Sequence, residues 1–243
     1  MVALRDVVAT VAAVAMGAVC AIAAGRAEAG RPENPSFLLF AGTDLWRYGA
    51  FFHGGLLWSP AGLDADGFTL KVLLSGGNYS YISAGLQDNV NGTVLSAAAL
   101  PGWRFTRGGL TVSLFAGAVA QDYRLTPADP GSHLHGFYVG AQFAADIWYQ
   151  PSARTMVALS GAIASVGPTG YLRTAFGFRL FEPVFVGPES QEIWCGDFQQ
   201  LQLGAHVTGL RIDALEWSTG GGWSMTSDRR SGPYLRLGVN ARY

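Results

Sequence analysis

The side chains best suited to proton transfer are four histidines, His53, His133, His135 and His206. With serines plentiful, a Ser-His-acid relay is the chemistry they would serve, and Asp44 and His53 fall on neighbouring elements of the pattern. No G-x-S-x-G or comparable nucleophile context accompanies them. Lys71 is the only lysine in the chain. Buried, it would need a carboxylate, and Asp44, Asp146 and Glu216 are the available types. Cys195 is the only cysteine outside an N-terminal apolar run that holds Cys20. One thiol makes no internal disulfide, and no Cys/His spacing suits zinc. The reading is therefore non-enzymatic, with no catalytic residue, metal or cofactor expected.

What must position these residues is a two-residue alternation that runs through the chain. In the last nine residues Leu235, Leu237, Val239, Ala241 and Tyr243 form one file. Arg236, Gly238, Asn240 and Arg242 form the other. That is a strand with two different faces, ending on an aromatic carboxyl terminus. Residues 137–149 alternate as cleanly, over a length that suffices to cross a bilayer at a tilt. No segment sustains a helical period. About twelve strands are counted, within a range of ten to fourteen, with 184–195 the most poorly patterned. Polar stretches at 78–92 and 124–134 read as long loops, and 59–66 as a turn.

Composition narrows the fold class. Charged residues are 14%, low for a soluble domain, while glycine reaches 33 residues and aromatics 12%. Net charge is −1, so nucleic acid is not an expected partner. The first residues read as a secretory signal: Arg5, an apolar run over 7–24, and an A-x-A site at Ala27-Glu28-Ala29, so that 1–29 is removed. The rest, 30–243, reads as one all-β domain, an antiparallel transmembrane β-barrel of the outer membrane with both termini periplasmic. Outer-membrane lipid and the barrel-assembly machinery are its expected partners, and Tyr243 is the expected assembly signal. A soluble sandwich is the alternative that the alternation alone leaves open.

The faces of the strands sort the polar residues. Arg173, Arg179, Arg236 and Arg242 each sit between lipid-type residues; turned outward, an arginine costs about 2–4 kcal/mol at the midplane. The inward file is expected to hold Asp44, His53, Lys71, Gln142, Asp146, Arg173, Arg179, Gln200, Gln202, His206, Glu216 and Arg236. Two readings stand: a hydrophilic pore, or a barrel plugged by its own ion pairs. Trp46, Tyr48, Trp58, Trp103, Trp148, Tyr149, Trp194, Trp217, Trp223 and Tyr243 lie near strand ends and read as interfacial girdles. Tyr79 and Tyr81, in the 78–92 loop, are candidate glycan contacts through their ring faces.

Particular stretches carry a family resemblance. They include Leu38-Leu39-Phe40-Ala41-Gly42-Thr43-Asp44-Leu45-Trp46-Arg47-Tyr48-Gly49, then His53-Gly54-Gly55-Leu56-Leu57-Trp58-Ser59-Pro60 and Leu74-Ser75-Gly76-Gly77-Asn78-Tyr79. Leu100-Pro101-Gly102-Trp103-Arg104 and Arg230-Ser231-Gly232-Pro233-Tyr234 continue it. Together they resemble the BcsS family of cellulose-biosynthesis-associated proteins from Gram-negative bacteria. The resemblance implies an outer-membrane component beside a cellulose synthase, with cellulose or other synthase components as partners, and brings no catalytic residues. A role in cellulose export or surface organisation is the expectation; a small general porin or structural barrel is the runner-up, and a lipid hydrolase comes third.

Overall fold

The computed structural model describes residues 34–243 apart from 168 and 197. The expected signal segment 1–29 lies outside the described residues. Twelve strands follow in order: β1 (Phe37–Trp46), β2 (Gly49–Trp58), β3 (Gly67–Ile82), β4 (Asn89–Arg107), β5 (Leu110–Thr126) and β6 (Gly136–Ser152), then β7 (Thr155–Ala164), β8 (Thr169–Phe181), β9 (Val184–Cys195), β10 (Phe198–Ile212), β11 (Leu215–Thr226) and β12 (Ser231–Arg242). Each pairs antiparallel with the next and β12 pairs with β1, so the barrel is closed. Phe37 and Tyr243 finish the seam with two backbone bonds of 2.8 Å, each amide donating to the other's carbonyl. Closure removes the free edge that an open sheet would expose.

The outward files are apolar and bare. Val139 is 69% exposed, Phe137 68% and Leu74 62%, with Phe143 and Leu114 alongside. A continuous apolar band of this kind is unsuited to water and suits lipid. This is an outer-membrane-type barrel, and the soluble sandwich falls away.

The loops expected at 78–92 and 124–134 are shorter than that. β3 runs to Ile82 and β4 begins at Asn89, leaving only 83–88 between them. β5 runs to Thr126, and β6 begins at Gly136. Strands β3 to β6 have 16, 19, 17 and 17 residues, against 10 each for β1, β2 and β7. Their extra residues rise at the end away from the termini, where the outward positions turn polar (Asn78, Ser80, Asn91, Asp122, Arg124). Only an apolar outer face marks a spanning strand, so the pattern reads as loop where the strand projects past the lipid. Beside Pro101-Gly102 the β4–β5 ladder drops the Leu100 and Pro101 pairs and resumes in the same register.

Inside, a single apolar cluster fills the half of the barrel toward the loops and one flank below it. Leu57, Val94, Leu100, Phe115, Val119, Tyr123 and Tyr234 belong to it, and Leu100 and Val119 are 0% and 1% exposed. At the terminal end the 59–66 segment is more than a turn. It folds beneath the barrel and sends Leu63 up into the same cluster. Leu63 is tied on both sides: its amide donates to the Pro35 carbonyl at 2.7 Å, and its carbonyl accepts from Arg104 Nη1. Asp64 pairs with Arg242 at 3.2 Å, which anchors the segment to the last strand.

Candidate functional site: the filled lumen and the mouth pocket

The interior carries a charge cluster centred on a residue that the sequence pattern did not single out. Glu189 of β9 accepts from Arg173 Nη2 of β8 at 2.8 Å and from Arg236 Nη2 of β12. Tyr234 Oη donates to its other oxygen at 3.1 Å. The Glu189 side chain is 2% exposed. It crosses the barrel from β9 to β12, and Gly220 of β11 makes the crossing feasible. A Cβ on Gly220 would run into both the Glu189 carboxylate and Arg236. Asp44 of β1 joins from the other side, accepting from Gln191 Nε2 at 3.5 Å. Lys71 meets Asp146 at 2.5 Å, one of the three carboxylates foreseen for it, and lies 4.8 Å from the Phe115 ring centroid.

The remaining inward residues sort by position. Gln142 is buried on β6. Gln200 donates to Ser224 Oγ at 3.3 Å, and Gln202 is 0% exposed. Arg179 and Glu216 face inward but sit at the terminal rim, paired with Glu182 and Arg211 rather than with the central cluster. His53 lays its ring against Gly42 of the neighbouring strand. No hydrogen bond joins it to Asp44 among the described residues. His206 Nε2 lies 3.3 Å from the Phe176 carbonyl. The reason is local: Pro188 has no N–H to give, and the β8–β9 ladder drops the Phe176 and Gly177 pairs. The imidazole takes over the bond that the proline cannot make. Ser75 of β3 is the cross-strand neighbour of His53, but no hydrogen bond joins them among the described residues; the contacts of the two strand histidines are Gly42 and the Phe176 carbonyl.

The girdle expectation holds for some aromatics and fails for others. Trp103, Tyr149 and Trp223 are exposed on outward positions. Trp46 is buried in the interior cluster and stacks on Phe51 at 5.7 Å. It shares its parity with Asp44, which turns it inward. Tyr48 packs on the same cluster beneath the Arg230 guanidinium, 4.2 Å from its centroid. Trp148 also points inward, edge-on to Phe185.

Tyr79 and Tyr81 are strand residues of β3, not loop residues. Trp46, Phe51, Tyr79 and Tyr81 form a run of near-parallel rings, with interplanar angles of 7°, 15° and 22° between successive members. The run ends in a pocket of about 310 Å³ at the loop end of the barrel. Its apolar side is Tyr79, Leu134 and Phe198, and its polar side includes Asp129, Asp228 and Ser132. Tyr81 Oη donates to Asp129 Oδ2 at 2.8 Å, which fixes the ring plane. The Gly131 amide holds the other oxygen at 3.0 Å. These two bonds, with a smaller contribution from Ser83, hold the Asp129 carboxyl below the ordinary aspartate range, the tyrosine bond contributing most. Asp228 is neutralised by Arg230 at 2.7 Å, whereas Asp129 makes no ion pair among the described residues.

A family profile, cellulose biosynthesis protein BcsS, matches residues 38–243. The chain belongs to the BcsS family. The match runs from the second residue of β1 to the end of the chain, so the family's link to cellulose biosynthesis applies to this outer-membrane-type barrel. No curated protein matches the BcsS-family chain. Among solved structures it is similar in fold to the CymD monoaromatic hydrocarbon channel, at a TM-score of 0.52 and 8% identity, over 86% of this chain and 89% of that one. LpxR from Salmonella typhimurium gives 0.49 and 11%, over 86% and 100%. The KdgM porin gives 0.45 and 10%, over 85% and 99%. At these identities the likeness concerns the barrel alone.

Proposed function

We propose that this BcsS-family protein is a closed, non-enzymatic outer-membrane barrel that supports cellulose biosynthesis by acting at the cell surface rather than as an export conduit. The observation that carries the reading is the interior. Leu63 and its 59–66 segment cover the terminal end, the Glu189 cluster bridges the middle, and the apolar cluster fills the half toward the loops. A conduit for a polymer needs a continuous wetted path, and the inward residues Leu100, Val119, Gln200 and Gln202 are shut off from solvent. The inward polar file is then the barrel's own plug, with three basic residues (Lys71, Arg173, Arg236) facing three acidic ones (Asp44, Asp146, Glu189).

An even strand count returns both termini to one side, and we assign that side to the periplasm. The raised β3–β6 wall and the mouth pocket with Tyr79 and Tyr81 then face outward, toward the polysaccharide. Lipid contacts the outward band, and Tyr243 at the β1–β12 seam serves the assembly machinery. Deleting the gene in a cellulose-producing host and measuring surface-bound against total cellulose tests the role. The expected result is altered deposition with synthesis retained. Unchanged deposition and output would overturn it.

A further inference from the structure

The mouth pocket has a shape and a charge that specify its ligand more narrowly than surface contact with polysaccharide does. Its volume of about 310 Å³ is at the lower end of small-molecule sites, enough for one or two sugar rings but not for a length of polymer. Its floor is closed. Tyr79 is 6% exposed and has Phe198 against it at 5.7 Å, with Leu134 beside them and the apolar cluster beneath. A strand of polymer cannot thread through a dead end, so only a chain terminus fits.

The chemistry of the walls is equally restrictive. Tyr81 offers a ring face near-parallel to Tyr79, and its hydroxyl bond to Asp129 keeps that face from swinging. A flat apolar face held in place suits the C–H face of an equatorially substituted pyranose. Asp129 still has lone pairs to accept sugar hydroxyls, since an ionised carboxylate offers about four acceptor sites. Charge-assisted bonds of this type are stronger than neutral ones. The same carboxylate carries negative charge with no cation paired to it among the described residues, so an acidic sugar would meet repulsion inside a partly enclosed site.

We propose that this pocket is a terminal-residue site for a neutral β-linked glucan, with Tyr81 as the stacking platform and Asp129 as the hydroxyl acceptor. The inference rests on the surface role proposed above. It also separates this chain from a site for uronic-acid polymers, which would need cations where Asp129 stands.

The test is calorimetric titration of the detergent-solubilised full chain with cellotriose, cellohexaose and trigalacturonate. Cellotriose and cellohexaose should bind with the same Kd within about twofold, because only the terminus is held, and trigalacturonate should bind at least tenfold more weakly. Tyr81→Ala should weaken cellotriose binding at least tenfold. Asp129→Asn should weaken it less and narrow the gap to trigalacturonate, and Tyr81→Phe, which keeps the platform, should fall between wild type and Tyr81→Ala. Each variant is first checked for the heat-modifiable folded band; if Tyr81→Ala fails that check, the two milder variants decide. Absence of cellotriose binding, an affinity that climbs steadily with chain length, or equal binding of trigalacturonate would each overturn the proposal. So would full binding in Asp129→Asn with no change in selectivity. Loss of the pocket proposal alongside an altered cellulose deposition in the deletion host would leave the surface role standing, whereas normal deposition would remove that role whatever the pocket binds.

Discussion

Replacing Glu189 by glutamine should be among the most destabilising conservative changes in the barrel. The carboxylate is 2% exposed and serves Arg173 and Arg236, whose side chains are 19% and 10% exposed. Glutamine keeps the shape and one acceptor oxygen but takes the bonded carboxylate from two neighbouring guanidinium groups, with Asp44 the remaining countercharge in the cluster. Breaking a buried pair by removing one partner costs about 3–5 kcal/mol. Tyr234 also exchanges a charged acceptor for a neutral one, a smaller loss contained within that range. The measurement is urea unfolding of vesicle-inserted protein, followed by tryptophan fluorescence and by loss of heat-modifiability. An exposed pair is the internal control: Arg124, 71% exposed beside Asp122, should cost under about 1 kcal/mol as Arg124→Ala. The combined change Glu189→Leu, Arg173→Met, Arg236→Met removes all three charges and should recover most of the loss. A Glu189→Gln shift under about 1 kcal/mol, no larger than the surface control, would refute the claim that this cluster bridges the lumen.

Three further outcomes follow from the same geometry. Gly220→Ala places a methyl where the Glu189 carboxylate and Arg236 meet, so it should cost about 1–3 kcal/mol in the same unfolding assay. Asp129, held below its ordinary value of 3.8 by Tyr81 and the Gly131 amide, stabilises the 127–135 loop fully above that value and loses its contribution as pH falls through the lowered one. Protease cleavage in that loop should therefore stay flat from neutral pH to about 5 and rise only in stronger acid, a step that Asp129→Asn abolishes. Deleting Tyr243 removes the residue that exchanges two bonds with Phe37 at the seam. It should lower the heat-modifiable barrel in the outer membrane while leaving secretion intact; an unchanged band would count against a role in assembly.

Where the sequence was legible, it was because lipid on one side forces a contrast between the two faces. β1, β2 and β12 could be read from that contrast alone. β9 shows the limit. Its outward positions include Pro188, Ser190 and Glu192, so the two files look alike and Glu189 is not separable by pattern from Glu192. Its partners could have been found only through the register with β8 and β10. Trp46 was legible in principle, because a strand parity that sends Asp44 inward sends Trp46 inward too; proximity to a strand end outweighed parity in the girdle reading. Tyr79 and Tyr81 were hidden for a different reason. They lie on the part of β3 whose outer neighbours, Asn78 and Ser80, have no lipid to face, and a strand with two polar-tolerant faces reads as loop. Leu63 carried no signal, since a short Pro/Gly/Asp segment does not announce that its one leucine fills a cavity.

Whether the barrel lumen is closed is read by planar-bilayer conductance of the purified full-length protein. A closed barrel gives no steady channel openings at moderate voltage. Stable, long-lived openings from the unmodified protein would contradict it and restore the conduit reading.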